Sequence, residues 1–153
     1  VFEVVAPFFL MAMAGTYLGI AQSAVDAVRL HLTDRQYAHS GFVLADIDML
    51  QSKFGDMWIA LAKSRALLRE AARRGDAGDS DALPYLLACK ADAADTAVHL
   101  TNEAMTLCGG MAYRDNSRIA QMLRDARASH VMSPTTELLK LWAGRTLLGR
   151  PLL

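Results

Sequence analysis

The sequence predicts an all-α domain, an antiparallel four-helix bundle whose last helix is split near Pro134. Apolar residues step by three or four along extended stretches, which is the period of a helix with one buried face, and no stretch makes a convincing strand. Glycines and prolines fall at the points that divide the chain into segments of helical length. With 153 residues, 53% of them hydrophobic, the chain is long enough for one domain with a real core, taken as residues 1–153.

The first helix is expected from near Pro7, a residue suited to a first turn, to about His31, where Thr33 and Asp34 begin a polar loop. No charged side chain occurs from Val4 to Val25, so this run is long enough to cross a bilayer. The polar Thr16, Gln22 and Ser23, and the immediate continuation into Asp26 and Arg29 at helical spacing, favour a core helix and no membrane span. After Gly41 the stripe Leu44, Ile47, Leu50, Phe54, Met57 and Leu61 defines a second helix. Arg69, Arg73 and Arg74 suit the negative end of its macrodipole, and Gly75 is the expected stop. Ser80 is the expected N-cap of a third helix, with Asp81 and Pro84 in its first turn, running to the Gly109-Gly110 pair. A loop from Met111 to Ser117 then leads to a helix carrying Ile119, Met122, Leu123 and Ala126. Pro134 breaks the chain before a last helix from Thr135 to about Leu148.

Composition excludes several classes. Sixteen Lys+Arg balance sixteen Asp+Glu, so the chain lacks the basic footprint of a nucleic-acid binder. Cys89 and Cys108 form neither a disulfide framework nor a zinc ligand set, which points to a reducing, cytoplasmic setting. No two of His31, His39, His99 and His130 stand at the three- or four-residue spacing that places ligands on one helical face, so no metal site is expected, and no Walker or dinucleotide glycine pattern occurs. Eight methionines, Met11, Met13, Met49 and Met57 among them, read as core filling.

The informative stretch runs from Gly109 to Glu137. Adjacent glycines at a helix end either cap the helix or let backbone N–H groups approach phosphate or carbonyl oxygens. Arg124-Asp125-Ala126-Arg127 is, taken alone, a solvated helix face or a local ion pair.

Taken together, Cys108-Gly109-Gly110-Met111-Ala112-Tyr113 and, at the appropriate distance, Leu123-Arg124-Asp125-Ala126-Arg127 resemble the C-terminal helical domain of acyl-CoA dehydrogenases. That family carries a Gly-Gly-x-Gly-aromatic turn, an Arg-Asp-Ala helix and a Glu-Gly-Thr segment before its last helix. Gly15 to Gln22 is similar to its first C-terminal helix and Leu44 to Met57 to its second, so the resemblance covers essentially the whole chain. It implies that these residues are one domain of a larger three-domain flavoprotein, with FAD as cofactor, an acyl-CoA or other small-molecule substrate, and a homo-oligomer, dimer or tetramer. It places the Gly109-Gly110 turn against the pyrophosphate of a neighbouring subunit's FAD, and Thr135 and Glu137 in the loop that touches FAD. The family's phosphate-binding arginine falls by count on Tyr37, and Arg35 serves with a two-residue shift.

The departure concerns the base. Acyl thioester dehydrogenation needs a carboxylate to remove the acidified α-proton while the β-hydrogen leaves as hydride to the flavin. The usual catalytic Glu position is Ser133, and the following Gly is Pro134. The alternative base position on the first helix falls on Phe9, with Glu3 the nearest acid. A hydroxyl cannot do the carboxylate's work. Flavin monooxygenases of the same fold often place a His near this loop with a Pro after it, so His130 and Pro134 make such an enzyme the second reading. A non-catalytic oligomerisation module is the third. The isolated 153 residues are expected to be catalytically silent.

Overall fold

The computed structural model describes residues 5–35, 41 and 43–153. Tyr37 and Glu3 lie outside them. The described residues form five α-helices, α1 (Val5–Asp34), α2 (Asp48–Ala77), α3 (Ala82–Cys108), α4 (Arg118–Val131) and α5 (Thr136–Leu147). Short 3-10 turns at Leu44–Asp46 and Gly109–Met111 precede α2 and follow α3, and there is no strand among the described residues. The architecture is the bundle that the periodicity predicts, with α4 and α5 as the two pieces of its divided last arm.

Helix α3 is the axis and touches each of the other four α-helices. Its buried face is built from small residues, Ala93, Ala94, Ala97 and Ala104, with Leu100 between them, all of them fully buried. Alanine lets neighbouring backbones approach closely at no side-chain entropy cost, so α1 and α2 settle directly on α3. Helix α1 answers with Ala14, Ala21, Ala24 and Val28, also fully buried, and α2 with Met57 and Leu61. By length and composition α1 is long and apolar enough to cross a membrane, yet this row of α1 residues packs inside the bundle.

The boundaries move in instructive ways. Helix α1 runs to Asp34, a turn further than the polar stretch suggested, since Thr33 satisfies its hydroxyl on the Arg29 and Leu30 carbonyls. Leu44 belongs to the 3-10 turn ahead of α2, and Ile47, at the N-cap, is partly exposed and does not face the core. The Gln51 amide donates to the Ala45 carbonyl at 2.8 Å and ties the turn to the helix. Gly75 does not stop α2; Gly78 does, at φ 67°, a left-handed conformation that glycine adopts without penalty. Met57 is core, whereas Met49 is exposed, so the methionines are not uniformly core filling.

Ser80 does not cap α3. Asp81 occupies the N-cap position but makes no capping bond, because its carboxylate accepts from Arg74 at 2.6 Å. Arg74 also donates to Glu70 at 2.6 Å and lies over the Tyr85 ring at 4.2 Å, so one guanidinium links α2 to the start of α3. Glu70 receives two further bonds from Arg73, at 2.9 and 2.8 Å. These bonds, Arg73's first, pull the Glu70 carboxyl from 4.5 down to about 2. A carboxylate with a depressed folded pKa stabilises the fold above its unfolded value, and that stabilisation is lost as pH falls through the folded value. Thermal unfolding between pH 4.5 and about 2 is therefore expected to show a loss of stability that Glu70→Gln reduces. An acid profile unchanged by Glu70→Gln would contradict this account of the α2–α3 junction.

Candidate functional site

Two regions of the bundle carry the residues singled out by sequence, and α1 connects them. The first is a cleft of about 770 Å³ between the end of α1 and the start of α4. Ala27, Leu30, His31 and Asp34 line it from α1 and Arg35 from just beyond, Cys108 from the end of α3, Met111 and Ala112 from the turn after it, and Ser117, Arg118 and Ile119 from the start of α4. Arg35 thus shares the cleft with Cys108, Met111 and Ala112, which flank the glycine pair, and with Arg118 as a second guanidinium; neither arginine has an ion-pair partner among the described residues. His31 adds no charge at neutral pH: burial, and then the charge of Arg35, push its pKa below the ordinary value.

The two glycines differ in what the fold asks of them. Gly109 ends α3 at φ 60° and ψ −147°, a region essentially closed to other residues, so it is required as the helix stop. Gly110 has no positive φ, and a Cβ built there would meet nothing within 4 Å. Neither backbone nor packing explains Gly110. It leaves an open stretch of main chain beside the cleft, where a ligand can approach closely. Ala112, at the third glycine of the Gly-Gly-x-Gly-aromatic pattern, is buried, while Tyr113 is 82% exposed.

The start of α4 follows from Ser117, whose hydroxyl accepts from the Ile119 and Ala120 N–H groups at 3.2 and 3.4 Å. Along α4, Arg124, Asp125 and Arg127 are exposed and Ala126 is fully buried, the pattern of a solvated helix face.

The second region is the break between α4 and α5. The Tyr17 hydroxyl reaches Met132 Sδ at 3.8 Å from α1. Tyr17 is ten residues from Ala27, so about 15 Å of helix separates the break from the near wall of the cleft. The structure therefore does not gather Thr135 and Glu137 into one cavity with Arg35, Gly109 and Gly110. Thr135 caps α5, accepting from Leu138 N–H at 3.4 Å. The Glu137 side chain is 86% exposed and pairs with Lys140 at 3.3 Å. Ser133 is exposed, in a cis peptide bond with Pro134. His130 lies with Nε2 3.3 Å from Asp95 Oδ1, without the alignment of a hydrogen bond, and Lys140 holds the other Asp95 oxygen at 3.0 Å. The imidazole thus faces α3 and its carboxylate.

Beneath the break lies a residue that the sequence reading passed over as part of a helix. Lys90 of α3 is fully buried, and its ammonium donates to the carbonyls of Ser129 at 2.9 Å, Met132 at 3.3 Å and Pro134 at 2.9 Å. Cys89, beside it, is also buried, its thiol pushed up to about 12, and burial pushes Cys108 up to about 11; both are free, protonated thiols without nucleophilic character at neutral pH.

Residues 10–148 match the sequence profile of the family described as acyl-CoA dehydrogenase, C-terminal domain. The chain belongs to the acyl-CoA dehydrogenase family. Among its relatives, a cyclohex-1-ene-1-carbonyl-CoA dehydrogenase of Geobacter metallireducens is 34% identical over 88% of this chain and 35% of its own length. A mitochondrial isobutyryl-CoA dehydrogenase of Dictyostelium discoideum is 31% identical over 85% of this chain and 31% of its own length. The chain spans about a third of the length of the curated relatives it matches. The solved butyryl-CoA dehydrogenase of Megasphaera elsdenii superimposes with a TM-score of 0.87 at 25% identity, over 95% of this chain and 37% of that one. Acyl-CoA dehydrogenase C-terminal domains thus share both the sequence pattern and the helix arrangement described above.

The contrast between the glycines is directly measurable in this acyl-CoA dehydrogenase domain. Gly109→Ala is expected to cost about 1–3 kcal/mol, the strain of its backbone conformation, in denaturant unfolding. Gly110→Ala is expected to stay within about 0.5 kcal/mol of the parent. Equal losses would show that Gly110 too is held by the fold.

Proposed function

We propose that this bundle is the C-terminal domain of an FAD-dependent, acyl-CoA dehydrogenase-like oxidoreductase acting on a CH–CH bond, and that it supplies cofactor contacts and part of a homo-oligomer interface. The observation that carries the reading is the cleft lined by Arg35 and Arg118 together with Cys108, Met111 and Ala112, the residues that flank the Gly109-Gly110 pair. Two guanidiniums with no ion-pair partner among the described residues, beside main chain free of side-chain bulk, suit a pyrophosphate. Bound FAD would supply the redox chemistry; the residues here bind and orient it. In this reading the domain is one part of a longer, three-domain flavoprotein, and its reduced, buried thiols suit a cytoplasmic setting.

The separation of the two regions along α1 fits a homo-oligomer, in which the cleft serves a neighbouring subunit's FAD and Thr135 and Glu137 face the chain's own. Exposed Phe8, Leu30, Trp58, Ile59 and Leu141 provide apolar surface for such packing. The missing carboxylate at Ser133 remains the feature that sets this chain apart, and a base has to come from another part of the protein. The oxygenase reading has less support, because His130, which motivated it, faces Asp95 of α3.

The test is anaerobic addition of a panel of acyl-CoA thioesters to the full-length FAD-loaded protein. Bleaching of the flavin absorbance is the expected result, and a flavin-loaded protein that no thioester bleaches contradicts the dehydrogenase assignment. In the same protein Arg118→Ala and Gly110→Ala are each expected to weaken FAD binding about tenfold, Arg118→Ala with a reduced dependence on salt.

A further inference from the structure

Among the described residues Lys90 has no counter-ion, and this calls for explanation. A fully buried ammonium normally pairs with a carboxylate, and burial alone pushes its pKa below the ordinary lysine value. Here its three N–H donors meet three main-chain carbonyls instead, those of Ser129, Met132 and Pro134. Ser129 lies in the last turn of α4 and Met132 caps it, so the ammonium sits at the negative end of that helix and satisfies groups the helix leaves unpaired. The Pro134 carbonyl lies beyond the helix end, one residue before Thr135, the cap of α5. A single side chain from α3 therefore grips the break on both sides of Ser133.

A lysine of ordinary packing value would be replaceable by any apolar side chain of its length. Lys90 lies on the same stripe of α3 as Leu86, Ala93, Ala94 and Ala97, all buried, where a methionine would fill the space without burying a charge. What methionine lacks is donors for three carbonyls aimed at one point.

We propose that Lys90 is a positioning residue, whose ammonium sets the path of the chain from Val131 to Thr135 and thereby the placement of Ser133 and Thr135 toward the cofactor. The proposal rests on the reading above that this break faces FAD. Lys90 touches neither cofactor nor substrate in it; it acts through the carbonyls it holds.

The test compares Lys90→Met with the parent in the full-length protein, with Leu100→Ala as a core control far from the tether. Two quantities are read: amide hydrogen exchange, and the dissociation constant for FAD. Lys90→Met is expected to speed exchange at Met132, Leu138 and Leu139, whose N–H groups bond to the Ala128 carbonyl and to Thr135, by about tenfold or more, to leave the middle of α1 and α2 protected, and to weaken FAD binding about tenfold. Leu100→Ala is expected to lower the unfolding temperature without that local pattern. Exchange at the break unchanged in Lys90→Met would overturn the proposal, and so would faster exchange with FAD affinity within twofold of the parent. If Lys90→Met does not fold, Lys90→Gln, which keeps two donors, is read in the same way. Failure of both to fold would assign Lys90 to the global core and overturn the positioning role. A parent protein that binds no FAD would instead sink the functional reading, and the exchange pattern would then decide the tether by itself.

Discussion

The break between α4 and α5 depends on one buried ammonium. A helix end inside a protein leaves carbonyls without partners, and a chain that turns sharply after it adds more. Lys90 satisfies three of these from the neighbouring helix α3, the element against which every other helix packs. The direction of α5, the cap at Thr135 and the exposure of Ser133 all follow from where that ammonium holds the main chain. The cost of burying the charge is offset by the macrodipole of α4 and by complete hydrogen bonding of its three donors.

The rest of the bundle serves to make such a position possible. Small residues on α1 and α3 let the two backbones meet closely, which buries the middle of α3 on several sides at once. At the far end of α1 the same close packing leaves the cleft of Arg35 and Arg118, walled by the turn that Gly109 allows. One long helix thus runs past both regions that the family resemblance brings into contact with FAD. In the function proposed above, a homo-oligomer reconciles their separation.

The sequence made most of this architecture legible because its signals are local. The stripe from Leu50 to Leu61, the prolines at 84 and 134, and the Gly-Gly pair each act within a turn or two of their own position. Misplaced features arose where a side chain was engaged elsewhere or where the neighbouring residue took the special conformation. Ser80 lost the cap because Asp81 took the position and gave its carboxylate to Arg74, and α2 outran Gly75 because Gly78 was the residue in left-handed conformation. Arg118 was missed for a similar reason: nothing in its local sequence reveals that it meets Arg35 across a cleft. Lys90 did leave a signal. It is a lone lysine on the stripe of Leu86, Ala93 and Ala97, and a charge on an apolar stripe requires a partner that the fold must bring to it. What partner that would be, three carbonyls and not a carboxylate, could be seen only once α4 and α5 were in place.

The central claim is that the Lys90 ammonium is sealed in the bundle and fully committed to main-chain carbonyls. Labelling of the native protein with an amine-acylating reagent, read residue by residue by mass spectrometry, tests it most directly, since Lys140, about half-exposed on α5, provides the internal comparison. Lys90 is predicted to stay unmodified while Lys140 reacts, and to become reactive only when the protein unfolds. Labelling of Lys90 at the rate of Lys140 in the folded protein would contradict the account.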